Sequence, residues 1–422
     1  MKLEESPYLR SPSNVSIKAG SIPRVVGTRC STTTPRKAEP DRPLLVCFSH
    51  LRWGFVWQRP QHLLCRAAKT FDVVFFEEPI FEAGAQDHLR VEQVFEGVAV
   101  VVPVITPGNE ANLTATLGLL VQEHLKRFSD RERVFWYYTP AAIAFSENLS
   151  RDLTVYDNMD ELSAFNGASP DLIAQERSLF SRADLVFTGG RSLYDAKRDC
   201  HTDIHCFPSS VDTAHFHRAR LHGRADPPDQ STIPHPRLGF FGVVDERFDR
   251  DFLAAMADLR PQWHWVMIGP VVKIDPASLP QRPNIHWLGA KSYAELPDYL
   301  SHWDLGLMPF ALNESTRFIS PTKTPEFLAA GLQVVSTPIV DVVRGYGEDG
   351  LVEIADTPTA AVLAAEALMA RPKEAWLERV DQRLAAQSWD MTWDAMRTLI
   401  LNRLPLVDAG RDEVLPSVRV GA

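Results

Sequence analysis

The sequence predicts an α/β protein of two successive domains, each a doubly wound parallel sheet, and three observations carry that prediction. At 422 residues the chain is longer than one ordinary hydrophobic core fills. Short apolar runs bounded by turn-forming or polar residues alternate with segments of helical spacing along most of its length. A polar stretch at 218–236, holding Asp226-Pro227-Pro228-Asp229 and no periodicity, divides that alternation into two halves of similar size.

In the first half the strand candidates are residues 44–48, 73–76, 98–102, 134–138, 155–156, 185–188 and 204–207, with helical segments at 61–68, 113–128 and 170–180 between them. In the second half strands are expected at 238–244, 264–268, 285–288, 305–308, 334–336 and 351–354, with helices at 252–259, 294–302 and 324–330. Continuous apolar runs of this kind are the signature of parallel strands buried on both faces. The domain limits follow: a flexible extension at 1–42, a first Rossmann-like domain at 43–217, a linker at 218–236 and a second such domain at 237–385. A helical stretch at 373–404 leads into the last part of the chain, 386–422, read as a C-terminal helix and loose tail. Ligands of open parallel sheets sit at the carboxyl ends of the strands, so two such domains facing one another make a central cleft with strand ends on both walls.

Composition excludes several classes. Hydrophobic residues at 45% and charged residues at 23% mark a globular chain. No apolar run approaches the roughly 20 residues that cross a bilayer, and the start of the chain has no apolar leader core. Five cysteines make no disulfide framework and fit a reducing cytosol. A formal net charge of -10 argues against nucleic-acid binding, although a pyrophosphate pocket needs only two or three cations. The leucine-rich side of 113–128 is better explained by core packing than by a membrane, though peripheral association with the inner membrane face stays open. Cys200-His201 and His205-Cys206 lead into a strand whose side chains point to opposite faces, which disfavours a zinc set.

The segment richest in chemistry is Ser320-Pro321-Thr322-Lys323-Thr324-Pro325-Glu326, which follows the strand ending at Met308 and opens a helix. Free N–H groups at a helix start favour an anion. Ser320, Thr322 and Lys323 add hydroxyl donors and a cation there, which suits a pyrophosphate. Glu326, one turn in, either accepts paired hydrogen bonds from ribose hydroxyls or simply complements the helix dipole; its position alone leaves both open.

Taken with Ala330-Gly331-Leu332-Gln333-Val334-Val335, this segment resembles the donor-binding region of GT-B glycosyltransferases of the family-4 (group 1) kind. The resemblance runs in motif order from about residue 43 to 388. It implies the GT-B fold, a nucleoside-diphosphate sugar as co-substrate with no resident cofactor or metal, and transfer of a hexose to an acceptor hydroxyl, with retention as in much of the family. It assigns Glu326 to the donor ribose, and Arg247 and Lys273, near the ends of the first two strands of the second domain, to the diphosphate. The family often carries a second glutamate eight residues before the first, for the donor sugar; this chain has Phe318 there, with Glu314 four residues further upstream, and its SPTKxxE loop resembles a subgroup variant. Asp249-Arg250-Asp251 spells the metal motif of the other transferase fold but stands at a helix start, where acids are ordinary dipole partners.

In the first domain the loop Ser49-His50-Leu51-Arg52-Trp53-Gly54-Phe55-Val56-Trp57-Gln58-Arg59-Pro60-Gln61-His62 mixes aromatics with polar groups, as a sugar acceptor requires. His50, Arg52, Trp53, Arg59 and Gln61 are the candidate acceptor and cleft residues, with Trp53 and Trp57 also readable as buried loop anchors. The candidate catalytic groups are His62, Asp157 and Asp160; the two acids follow a strand end and serve as a base if the reaction inverts, or hold sugar hydroxyls if it retains. Acceptors in range are a polysaccharide, a lipid-linked sugar, a small molecule or a protein, with the oligomeric state open. The rival readings are a GT-B-like nucleotide-sugar epimerase and an inactive nucleotide-sugar-binding protein, the latter favoured by Phe318 alone.

Overall fold

A computed structural model describes residues 42–84 and 86–404. The expected extension, apart from Arg42, and the tail beyond 404 lie outside the described residues. Arg42 itself is docked on the first domain, donating to the Phe71 carbonyl at 2.9 Å.

The first sheet has nine strands: β1 (Leu44–Phe48), β2 (Asp72–Phe76), β3 (Ile80–Phe81), β4 (His88–Phe95), β5 (Val98–Ile105), β6 (Arg133–Tyr137), β7 (Leu153–Asn158), β8 (Leu185–Thr188) and β9 (Ile204–Cys206). Their order is β3-β5-β2-β1-β6-β7-β8-β9, with β4 antiparallel on β5 and every other pairing parallel. The second sheet is wholly parallel, in the order β12-β11-β10-β13-β14-β15. Its strands are β10 (Arg237–Phe241), β11 (His264–Ile268), β12 (Ile285–Gly289), β13 (Leu305–Met308), β14 (Val334–Ser336) and β15 (Glu353–Ile354). Each sheet grows outward from its first strand and then reverses, so the switch points lie between β1 and β6 and between β10 and β13. The loops after β1 and β10 therefore sit where such sheets bind ligands.

Side chains alternate across the first sheet: Leu45 and Cys47 enter one core layer, and Leu44, Val46 and Phe48 the other. The first layer is closed by the helix Trp389–Leu401, whose Trp389, Trp393, Met396 and Ile400 are buried there. The expected single helix over 373–404 is two: Glu374–Leu384 packs Trp376, Val380 and Leu384 into the second domain, and the chain turns at 385–388 to return to the first. The segment at 218–236 carries no strand, yet it is pinned rather than free. Gln230 is wholly buried, donates to Asp226 at 3.0 Å and accepts from the Trp303 indole at 2.7 Å.

The sequence reading missed the β4–β5 hairpin and the short β3. In β4 every residue is exposed or half-buried, so its alternation of polar and apolar residues is that of a solvated edge rather than a buried strand. β10 also stops sooner than expected, at Phe241, because Gly242 turns to φ 126.

Candidate active site in the interdomain cleft

The floor of the second-domain wall is made by glycines. A Cβ on Gly242 would lie 2.1 Å from Lys323 Cε and 2.6 Å from its Nζ, so the absent side chain leaves the space that the Lys323 amine fills at the end of β10. A Cβ on Gly269, at the end of β11, would meet the Gly242 carbonyl oxygen at 1.8 Å. Lys323 opens the helix Lys323–Ala329 and lies over Phe240 and Phe310, at 5.4 and 5.9 Å from their ring centres, with no hydrogen-bond or ion-pair partner in the described residues. Burial pulls its pKa down, and the Arg247 charge adds to that. The Glu326 side chain, three residues on and 5% exposed, likewise makes no hydrogen bond among the described residues, and burial raises its pKa. The Tyr293 hydroxyl is buried without a partner, with its pKa pushed up by burial and then by the Glu326 charge.

Arg247 is held by Asp245 through bonds of 3.0 and 2.6 Å and faces the Phe165 ring at 5.2 Å. Lys273, in the left-handed backbone region at φ 62, lies 4.7 Å from the same ring. Phe165 thus reaches across from the first domain to bring the two expected diphosphate cations together. Asp160 lines the cavity beside them, with its pKa raised by burial and opposed by Arg247. It makes no side-chain hydrogen bond among the described residues. Ser320 sits at the domain seam: its carbonyl accepts from the Ser209 hydroxyl at 2.8 Å, and a Cβ on Gly190 would lie 2.8 Å from its own Cβ. Thr322 is the half-buried residue before the helix and makes no side-chain cap.

The first-domain candidates separate. His50 lines the cavity with an unpartnered Nδ1, and burial followed by the Lys273 charge lowers its pKa to about 4. The others face inward and shape the loop. Arg59 and Asp157, 2% and 0% exposed, form a bidentate pair at 3.0 and 2.9 Å, and Arg59 also donates to the Phe207 carbonyl. Asp157 is wholly buried with both oxygens engaged by Arg59, and neither residue lines the cavity. Arg52 donates to Glu77 at 3.0 Å, and Trp53 packs edge-on against Phe75 at 5.2 Å. Gln61 donates to the Trp53 and Val56 carbonyls and accepts from Gln58 N–H. Arg52 and Gln61, offered as acceptor contacts, clamp the loop, and Trp53 takes the loop-anchor role that the sequence also allowed. His62 is likewise withdrawn, stacked on Trp389 at 4.8 Å and edge-on to Tyr293 at 5.4 Å, with its pKa held well down by burial.

Glu314 does not replace the glutamate missing at Phe318: it is 78% exposed and faces Arg317 at 3.7 Å. Sequence reasoning passed over Gly242, Gly269, Tyr293 and Phe165. The two glycines were legible as the residues that end their strands, whereas nothing in the sequence marks Phe165 as a bridge.

Two facing Rossmann-like domains with strand ends on both walls of a cleft define the GT-B fold. Residues 235–371 match the family described as Glycosyl transferases group 1. That match lies within the second domain. It is 26% identical over 241 residues to the putative teichuronic acid biosynthesis glycosyltransferase TuaH of Bacillus subtilis (strain 168), covering 52% of this chain and 59% of that protein. The chain thus spans about three fifths of that relative's length. Among solved structures it is similar to sucrose-phosphate synthase from Thermosynechococcus elongatus, at TM-score 0.64 and 14% identity, covering 86% of this chain and 99% of that one. It is also similar to Anabaena HepE in complex with UDP, at TM-score 0.55 and 15% identity, covering 86% and 100%.

Proposed function

We propose that the protein transfers a hexose from a nucleoside-diphosphate sugar to an acceptor hydroxyl. The observation that carries this reading is the pair Lys323, half-buried, and Glu326, buried, at the carboxyl edge of the second sheet, with neither side chain hydrogen-bonded among the described residues. Buried ionisable groups are ordinarily paired, so an unpaired acid and base at a sheet's ligand-binding edge mark a site for an outside partner. Glu326 accepts from two ribose hydroxyls. Lys323, Arg247 and Lys273 surround the diphosphate and stabilise the charge that grows on it as the sugar bond breaks, which is the largest electrostatic demand of the step. Three cations supply that charge from side chains alone, so the reaction runs without a metal.

Retention fits the first-domain wall. Asp157 is committed to Arg59, and Asp160 lies beside Arg247, where it holds a sugar hydroxyl rather than accepting its proton. UDP, bound by the structurally similar HepE, is the first nucleotide to try. The test measures thermal shift with nucleoside diphosphates, and turnover of the matching sugar, for Glu326→Ala and Lys323→Ala. Each substitution is expected to weaken nucleotide binding roughly 10- to 100-fold, the worth of hydrogen bonds to a charged group. Two variants with undiminished binding and turnover would place the site elsewhere.

A further inference from the structure

Phe165 stands where an apolar side chain is not expected. It belongs to none of the hydrophobic clusters of the described residues. Its ring centre lies instead 4.7 Å from the Lys273 amine and 5.2 Å from the Arg247 guanidinium, and all three side chains line the cleft cavity. Arg247 keeps its bonds to Asp245, whereas Lys273 has no hydrogen-bond or ion-pair partner among the described residues. The face of an aromatic ring carries partial negative charge, so Phe165 is a weak substitute for an anion.

The turn that carries this ring is fastened on one side only. Before Phe165, Glu161 pairs with Lys197 at 2.7 Å, its carboxylate accepts from the Ser163 hydroxyl at 2.6 Å, and its carbonyl accepts from the Ala164 N–H at 3.0 Å. After Phe165 the chain bends at Gly167, exposed and at φ 80, where a Cβ would meet no atom within 4 Å. The ring therefore reaches the second domain on a short turn whose root belongs to the first and whose tip is open.

Resting on the transfer reading above, we infer that Phe165 is a placeholder for the donor diphosphate and thereby sets the affinity of the site for its donor. A diphosphate that bridges Lys273 and Arg247 takes the place the ring now holds against them. Charge-assisted hydrogen bonds outweigh the attraction of a ring for a cation, so the diphosphate displaces Phe165 and the turn at 162–168 leaves the second-domain wall. Binding then gives up two ring–cation contacts, and the donor is held less tightly than the cations alone would hold it. The turn follows Asp160, so the displacement is felt directly on the first-domain wall of the cavity.

The test uses inorganic pyrophosphate, which needs no matching base, together with UDP and uridine. Each is titrated calorimetrically into the full-length protein and into Phe165→Ala and Phe165→Leu, whose melting temperatures report folding. Both variants are expected to bind pyrophosphate and UDP about 5- to 10-fold more tightly, the worth of the contacts no longer given up. Uridine, which has no phosphate, is expected to respond equally to all three proteins. The leucine variant keeps an apolar side chain in the turn while removing the ring. Unchanged or weaker pyrophosphate binding in a folded variant overturns the inference, and a matching gain for uridine does so too, since the ring would then only obstruct the cleft. Failure of UDP, ADP and GDP alike to bind the unmodified protein and both variants would instead count against the transfer reading on which this inference stands.

Discussion

On the second-domain wall of the cleft, half-buried Lys323 and buried Glu326 have no side-chain hydrogen-bond partner among the described residues, whereas on the first-domain wall Arg59 and Asp157 are buried and bound to each other twice. A cation and a carboxylate, placed at the same edge of the same kind of sheet, do opposite work on the two walls. Burying a charge is costly unless it is paired, so a pair that satisfies itself holds the fold, and groups left unsatisfied wait for a ligand. The contrast extends to the neighbouring space. The second domain leaves open charge, lined by glycines, and the first engages most polar groups of its cleft loop, leaving the His50 Nδ1 and the His62 Nε2 without partners.

The largest effect expected from this contrast is on the paired side. Arg59→Ala strands the Asp157 carboxylate with no exposure to water and should lower unfolding free energy by about 3–5 kcal/mol, read by urea denaturation. A change below about 1 kcal/mol together with a collapse of turnover would instead make the pair functional. On the unpaired side the order reverses: Glu326→Ala should reduce nucleotide binding while thermal stability holds or rises, since a buried charge disappears. Gly242→Ala sharpens the same point. Its Cβ would clash with the Lys323 side chain at a φ that L residues avoid, so a loss of about 1–3 kcal/mol in stability and weaker nucleotide binding are expected together.

The smallest effect is on pH dependence. His50 and His124 are both lowered to about 4, each chiefly by burial and then by a nearby cation, Lys273 and Arg127 respectively. The unfolded chain takes up these protons near pH 6.5 and the folded one only near 4, so the unfolded state binds more protons in between. Stability should be full above about pH 6.5 and fall as pH drops toward 4. His124→Leu should flatten that slope in melting curves, and an unchanged slope would mean that other groups set it.

Much of the fold was legible because burial on both faces writes itself into sequence: β1 is an unbroken apolar run, and β2, β8 and β11 each carry one of three or four residues. The hairpin strand β4 was not, since its exposed residues carry no core signal. At the site, Lys323 and Glu326 could be read from their place at a helix start after a strand, and Arg247 and Lys273 from their place at strand ends. Arg52, Arg59, Gln61, His62 and Asp157 were offered to the cleft, and their partners lie in the fold around them. Polar and aromatic residues after a strand look alike whether they face a ligand or clamp their own loop.

By itself, then, the sequence determined the two parallel sheets and the residues offered at the edge of the second. Those follow from periodicity, turn chemistry and local spacing, which act over a few residues. Only the tertiary structure decided which charges are satisfied. The Arg59–Asp157 pair spans 98 residues, Phe165 meets Arg247 and Lys273 across the cleft, and the returning helix at Trp389 closes the first domain. Whether a buried polar group is a clamp or a site depends on what stands within about 3 Å of it, and long-range packing alone fixes that.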